Sequence, residues 1–386
     1  MREPPVMSSE DPVHERAAAL TVRRWSIADW LASEETWGRL LARSNSDPLF
    51  LSWDWLTLWW DCFARALSAV PEILAFYRGD ELIGVAPHYR RRVLRSGVLP
   101  ATSVQPIGVS WRDPAALISE YLDIVASAAE TDVVRRACAR ALLEERGWSE
   151  WVIGFTAAGT QWRDAFSGLE PGRRQYLRDV DPLVSYQADL GAGFGDYLRS
   201  LGPSTRRSVW SLRRRLARLG KVGFARLSSA EIDGGFGDLN RLHQLRWQRP
   251  AFAGAGLEFH TQLAHRLEHR GELVMSRVSV DGAAVSVLYD IRKGARQYNI
   301  SMGFDPAFAG KLSLGLLHLG YAMEAAAEAG VSTYDFLAGS GQRSDYKRHL
   351  SQARRNLSCV QVLRGYLLPS LYRWRDRARH PHPPPG

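Results

Sequence analysis

Two turn dipeptides, Gly79-Asp80 and Asp281-Gly282, do most to limit the folds open to this chain. Each sits between two runs of strand-forming residues, 72–77 with 82–89 and 273–280 with 283–291. That arrangement specifies a β-hairpin, because such turns need a left-handed backbone that Gly and Asp adopt cheaply. After the first hairpin come short strand-like runs at 103–107 and 121–125. A helical run at 132–146 and a buried strand at 151–155 follow. After the second come a strand at 296–302, a loop at 303–312, a helix at 313–329 and a short strand at 333–337. A Trp-containing helical stretch precedes each series, at 53–63 and 239–247. The order of elements repeats although the residues do not, which predicts two α/β units in tandem. The break falls near 179–186, where Asp181-Pro182 interrupts the pattern.

A chain of 386 residues is long enough for two such units, each with its own core. Its three cysteines, Cys62, Cys138 and Cys359, are widely spaced and form no CxxC pair. This excludes a disulfide framework and a cysteine zinc site, and fits a reducing compartment. No HExxH pattern occurs, no metal site is expected, and no GxSxG elbow is present. The first twelve residues lack an apolar signal region. The most apolar stretch, 312–331, carries His318, Glu324 and Glu328 and reads as a core helix, not a membrane span. A cytoplasmic protein is therefore expected. The terminal HPHPPPG is too rich in proline to join a core, and disorder is expected there.

The formal charge is +9, and only Lys221, Lys293, Lys311 and Lys347 among the 50 basic residues are lysine. Six arginines between Arg206 and Arg218 surround a stripe of Val209, Leu212, Leu216 and Leu219. The stripe predicts one helix over 204–220. Its basic face suits phosphates, RNA or an acidic membrane, and equally a plain solvated surface. The small-residue loop before helix 313–329, with Gly310, Lys311 and Gly315, has the makings of an anion site at a helix N-terminus. It is also what an ordinary strand–helix connection looks like. Asp335 sits on a strand between aromatic residues, where a carboxylate is costly unless paired or functional. It is a candidate base or orienting group, with Tyr346 and Lys347 as its neighbours in chemistry; an Asp335–Lys347 ion pair is the structural alternative. Arg246 is a candidate to hold an anionic group, and His243 is a candidate base or else a surface or packed histidine. The AFAGAGLEF loop before His260 reads as a plain loop or a substrate lid. The aromatic block at 53–63 reads as a core helix.

Several of these segments also resemble a known family. The run YNISMGFDP, the loop with Ser313 and Gly315, then YDFLAG and DYK, look like the GNAT-superfamily acetyltransferases of the CelD/BcsL type, associated with cellulose or exopolysaccharide biosynthesis. PLFLSWDWLTLWWDCF, RRSVWSLRRRLARLG and LHQLRW are similar to it as well. The resemblance spans about 47–347. It implies an α/β (α+β) fold of two GNAT-like domains, each a mixed, mostly antiparallel sheet flanked by helices, as in the FemABX aminoacyltransferases. On that basis the domains would be 20–183 and 184–365, with a tail at 366–386. It also implies acetyl-CoA or another acyl-CoA as donor and no metal. Ile300, Met302, Lys311, Leu312, Ser313, Leu314 and Gly315 would contact the donor. Tyr298, His243 and Arg246 would contact a small-molecule or saccharide acceptor. Asp335, Tyr346 and Lys347 would carry the chemistry. The alternatives are an aminoacyl-tRNA-dependent transferase of the FemABX kind, whose basic helix binds tRNA, and a non-catalytic scaffold for a polysaccharide synthase.

Overall fold

The computed structural model describes residues 19–113, 117, 119–167, 169, 175–308, 312–339 and 345–379. Lys311, Gly310 and the HPHPPPG tail lie outside them, as does the side chain of Asp345. Thirteen strands form one sheet in the order β1-β2-β3-β4-β6-β13-β7-β12-β11-β10-β9-β8, with β5 paired to β3. They are β1 Leu20–Trp25, β2 Val70–Arg78, β3 Glu81–Arg95, β4 Leu99–Pro106, β5 Val125–Ala126, β6 Glu150–Thr156, β7 Gln175–Asp189, β8 Val222–Arg226, β9 Leu273–Val280, β10 Ala283–Lys293, β11 Arg296–Phe304, β12 Thr333–Asp335 and β13 Ala353–Arg364. The sheet is mixed and mostly antiparallel, with helices packed along it, as expected. No helix among the described residues is long and apolar enough to cross a membrane.

Both hairpins form. Gly79 has φ +61°, and Asp281 and Gly282 have φ +50° and +83°, the left-handed pair that a two-residue turn matched to strand twist requires. The repeat is visible in the pairing. β4 runs parallel to β6, and β11 runs parallel to β12; among the described strands these are the two parallel pairs. A helix bridges each crossover, Thr131–Glu144 in the first half and Leu314–Glu328 in the second. The halves are sewn together by the strands between them. β7 contains residue 183 and pairs with β12 at one end and with β13 along the rest. β13, from near the C-terminus, lies between β6 and β7.

Two local expectations are corrected. The helix expected over 204–220 is broken into Pro203–Arg206, a π-turn at Arg207–Ser211 and Arg213–Leu216. The close neighbour is Gly320 on Leu314–Glu328: a Cβ there would lie 2.2 Å from the Val209 carbonyl oxygen. The widened turn accompanies this backbone contact, since π-turns insert where a helix must be re-aimed. The strand expected over 121–125 shrinks to β5, and residues 119–124 form an irregular segment instead. The aromatic block is a core helix, Trp53–Phe63, with Trp55, Leu56, Leu58, Trp59 and Phe63 buried. Its Trp55 ring packs on Phe259 of the helix Ala255–Glu268, and Asp54 pairs with Arg270 at 2.6 Å. These contacts tie the halves across the same face.

Candidate active site

β11 and β12 share only three registered pairs, Arg296 with Thr333 to Tyr298 with Asp335. Beyond them the two chains part. Phe336 stays on the β7 side, its N–H donating to the Tyr186 carbonyl, while β11 continues along β10 to Phe304. The edge of β11 from Asn299 onward therefore faces a gap. A cavity of about 430 Å³ opens there, walled by Asn299, Ile300, Ser301 and Met302 on one side and Phe336, Leu337, Ala338 and Gly339 on the other.

Helix Ile232–Trp247 brings His243, Arg246 and Trp247 to the cavity because Gly303 lets it come close: a Cβ at Gly303 would sit 2.6 Å from the Leu239 carbonyl oxygen. His243 bonds the Arg249 carbonyl through Nδ1, and burial holds its pKa below the usual histidine range. Helix Asp345–Leu350 contributes Tyr346 and Lys347. Phe50, Phe252 and His260 close the aromatic end.

The acid at the cavity wall is Glu120, from the irregular segment that replaced the expected strand. Its carboxylate accepts from the Ala338 N–H at 2.8 Å and the Gly339 N–H at 2.9 Å. Desolvation raises its pKa to about 7, against the pull of those two N–H groups and of Lys347. Lys347 donates to the Leu337 and Ala338 carbonyls at 3.0 and 3.1 Å, and burial lowers its pKa. The ion pair anticipated between Lys347 and Asp335 is replaced by these carbonyl contacts. Tyr346 is held above the usual tyrosine range by burial.

Asp335 is fully buried behind this wall. One oxygen accepts from Tyr121 at 2.9 Å and Gln187 at 2.8 Å, the other from Ser185 at 3.0 Å and the Leu337 N–H at 2.9 Å. The Tyr121 and Ser185 hydroxyl oxygens also lie against each other. Tyr121 and Leu337 both have positive φ, +55° and +56°, a costly conformation for such side chains. Asp335 thus pins two strained residues, one beside Glu120 and one beside Ala338.

Of the expected contacts, Ile300, Met302, His243, Arg246, Tyr346 and Lys347 meet at the cavity. Tyr298 is buried outside it, its hydroxyl donating to Asp47 at 2.9 Å. Leu312 and Leu314 pack in an apolar cluster with Leu216 and Val278. Ser313 is the N-cap of Leu314–Glu328 and makes no side-chain cap bond. Gly315 abuts the site, since a Cβ there would lie 2.9 Å from Met302 Cε. Glu120, Tyr121, Ser185 and Gln187 were not anticipated, because no motif in the sequence sets them apart.

Residues 203–348 match the family described as the acetyltransferase (GNAT) domain. No curated protein matches the chain. Among solved structures, FemX superposes with a TM-score of 0.57 at 12% identity, over 91% of this chain and 99% of FemX. The structure of L-PGS from Bacillus licheniformis gives 0.50 at 11% identity, over 89% and 96%. The chain thus shares its fold with FemX and L-PGS, and its residues 203–348 match a GNAT acetyltransferase domain.

Proposed function

We propose that the protein transfers an acyl group from acyl-CoA to an amine or hydroxyl acceptor, with Glu120 as the base. The observation that carries this reading is the meeting of the open β11 edge with a carboxyl group whose pKa is about 7. A general base works best when its pKa lies near the working pH. The residues fit the donor: the open strand edge offers backbone N–H groups to a pantetheine arm or thioester carbonyl. The N-terminus at Ser313–Gly315 and the cationic Arg246 suit its phosphates. Acyl-CoA supplies the activated carbonyl. Glu120 takes the proton from the attacking nitrogen or oxygen as the new bond to the acyl carbon forms. Tyr346 gives a proton to the departing sulfur. Lys347 fixes the 337–338 carbonyls, and Asp335 positions Glu120 by holding Tyr121 and Leu337. The resemblance to CelD/BcsL-type proteins favours a saccharide acceptor of exopolysaccharide synthesis, met in the cytoplasm.

The test is a melting-temperature series with acetyl-CoA, CoA and ATP, followed by an acceptor screen that detects free thiol. Ligand at about 100 times its Kd adds roughly 2.7 kcal/mol. A shift with both CoA species, absent with ATP and lost in Ser301→Trp, is expected. No shift with acetyl-CoA or longer acyl-CoAs would refute the donor. An aminoacyl-tRNA donor is the second reading. It is favoured by the exposed Arg207, Arg214, Arg215 and Arg218, and predicts tRNA binding that weakens steeply with salt.

A further inference from the structure

The five most exposed large hydrophobic side chains among the described residues are Val98 (76%), Leu367 (74%), Trp374 (68%), Leu94 (65%) and Tyr366 (63%). They come from two elements that touch. Leu94 and Val98 stand at the tip of the β3–β4 hairpin. Tyr366, Leu367 and Trp374 belong to the helix Leu367–Arg379 and the residue before it. Arg375 of the helix reaches Ser96 of the hairpin at 3.3 Å. Beneath them Leu368 and Tyr372 are buried against Ala101 and Leu363. The helix is therefore anchored by one face. Its other face presents Leu367, Ser370, Trp374 and Arg377 at intervals of three and four, one continuous stripe.

Within these two elements, among the described residues, the charges beside the stripe are of one sign save for one acid. Arg92 lies on the hairpin, and Arg373, Arg375 and Arg377 lie on the helix. The helix holds one acid, Asp376, which is committed inward to Arg178 at 3.1 Å and Tyr176 at 2.9 Å. The stretch 92–98 has none. Isolated exposed apolar residues need no explanation, but a cluster of the five most exposed does. A tryptophan and leucines within a ring of arginines are the composition of an interfacial anchor: the rings enter the headgroup region and the cations meet lipid phosphate. A protein partner would be expected to match the arginines with carboxylates one by one, whereas an anionic bilayer satisfies all of them at once.

We propose that the corner formed by the β3–β4 hairpin tip and the helix Leu367–Arg379 docks the protein on an anionic lipid surface. Docking there would bring the enzyme to an acceptor made or held at a membrane.

Co-sedimentation of the full chain with vesicles of phosphatidylcholine, with and without phosphatidylglycerol, tests this. Wild-type protein is expected to bind only the anionic vesicles, and less at high salt. The double variant Leu367→Ser/Trp374→Ser is expected to bind at least about tenfold more weakly, since each lost apolar group removes burial in the interface. Arg92→Glu/Arg377→Glu should fall further, as each cation strengthens binding about fivefold. Melting temperatures equal to wild type, expected because Leu368 and Tyr372 are untouched, separate loss of docking from loss of fold. The proposal is overturned if wild type ignores anionic vesicles, or if the Leu367/Trp374 variant folds and binds as wild type does. A chain that ignores vesicles but forms a dimer dissolved by the same variant would assign this face to a second copy instead.

Discussion

Glu120→Gln separates a catalytic carboxylate from a merely structural one, because the two readings move stability and activity differently. The folded-state pKa of about 7 stands above the ordinary 4.5, so between those values the folded protein binds a proton that the unfolded chain releases. Stability from this group is complete below pH 4.5 and is lost as pH rises through 7. At about 1.4 kcal/mol per unit of pKa the loss is about 3 kcal/mol in all. Glutamine cannot ionise, yet it keeps an acceptor for the Ala338 and Gly339 N–H groups. Lys347 keeps its two carbonyl acceptors, so no charge is orphaned. The variant should therefore match wild type near pH 4.5 and melt above it at pH 8, by about 4 °C if the chain unfolds as one unit. In the same variant kcat/KM for acyl transfer should fall by about 10²- to 10⁴-fold, and the rise of activity through pH 7 should vanish. Thermal melts across pH, paired with a free-thiol assay, read both quantities. A variant as active as wild type would remove Glu120 from the chemistry. A variant with no gain in stability at pH 8 would show that its carboxyl group is not held protonated by burial.

Asp335→Ala leaves the hydroxyls of Tyr121 and Ser185, the Gln187 amide and the Leu337 N–H without their shared acceptor, and should cost about 3–5 kcal/mol by urea denaturation. Gly303→Ala drives a methyl into the Leu239 carbonyl and the backbone of helix Ile232–Trp247. It should destabilise by about 1–3 kcal/mol and weaken CoA binding measured by calorimetry, because His243 and Arg246 move with the helix. Gly320→Ala meets the Val209 carbonyl in the same way and should lower the melting temperature without altering the pH profile of activity.

What the sequence revealed and what it hid divide along range of interaction. The hairpin at Asp281-Gly282 was legible because its cause is local: two residues must take positive φ, and these two do so cheaply. Leu314–Glu328 was legible from composition and its stop at Gly330. Tyr346 and Lys347 were found because rare lysine and a charged strand residue stand out in an arginine-rich chain. Glu120 stood in no motif. It matters because segment 119–124 crosses from the first half to meet residues 338–339 more than two hundred positions later. The π-turn at Arg207–Ser211 was hidden for the same reason, since its neighbour is Gly320. Asp335 read correctly as a carboxylate needing partners, but its partners lie on β7 and in the 119–124 segment, where spacing gives no clue.

The placement of β13 has a consequence for how the protein comes into being. A ribosome that has released everything up to residue 350 has made β6 and β7 but not the strand that joins them. Until residues 353–364 emerge, two strands sit with unpaired N–H and C=O groups, a template for pairing with any neighbouring chain. Residues 353–364 thus join the two parts of the sheet. Loss of β13 would leave two halves, each carrying an open edge.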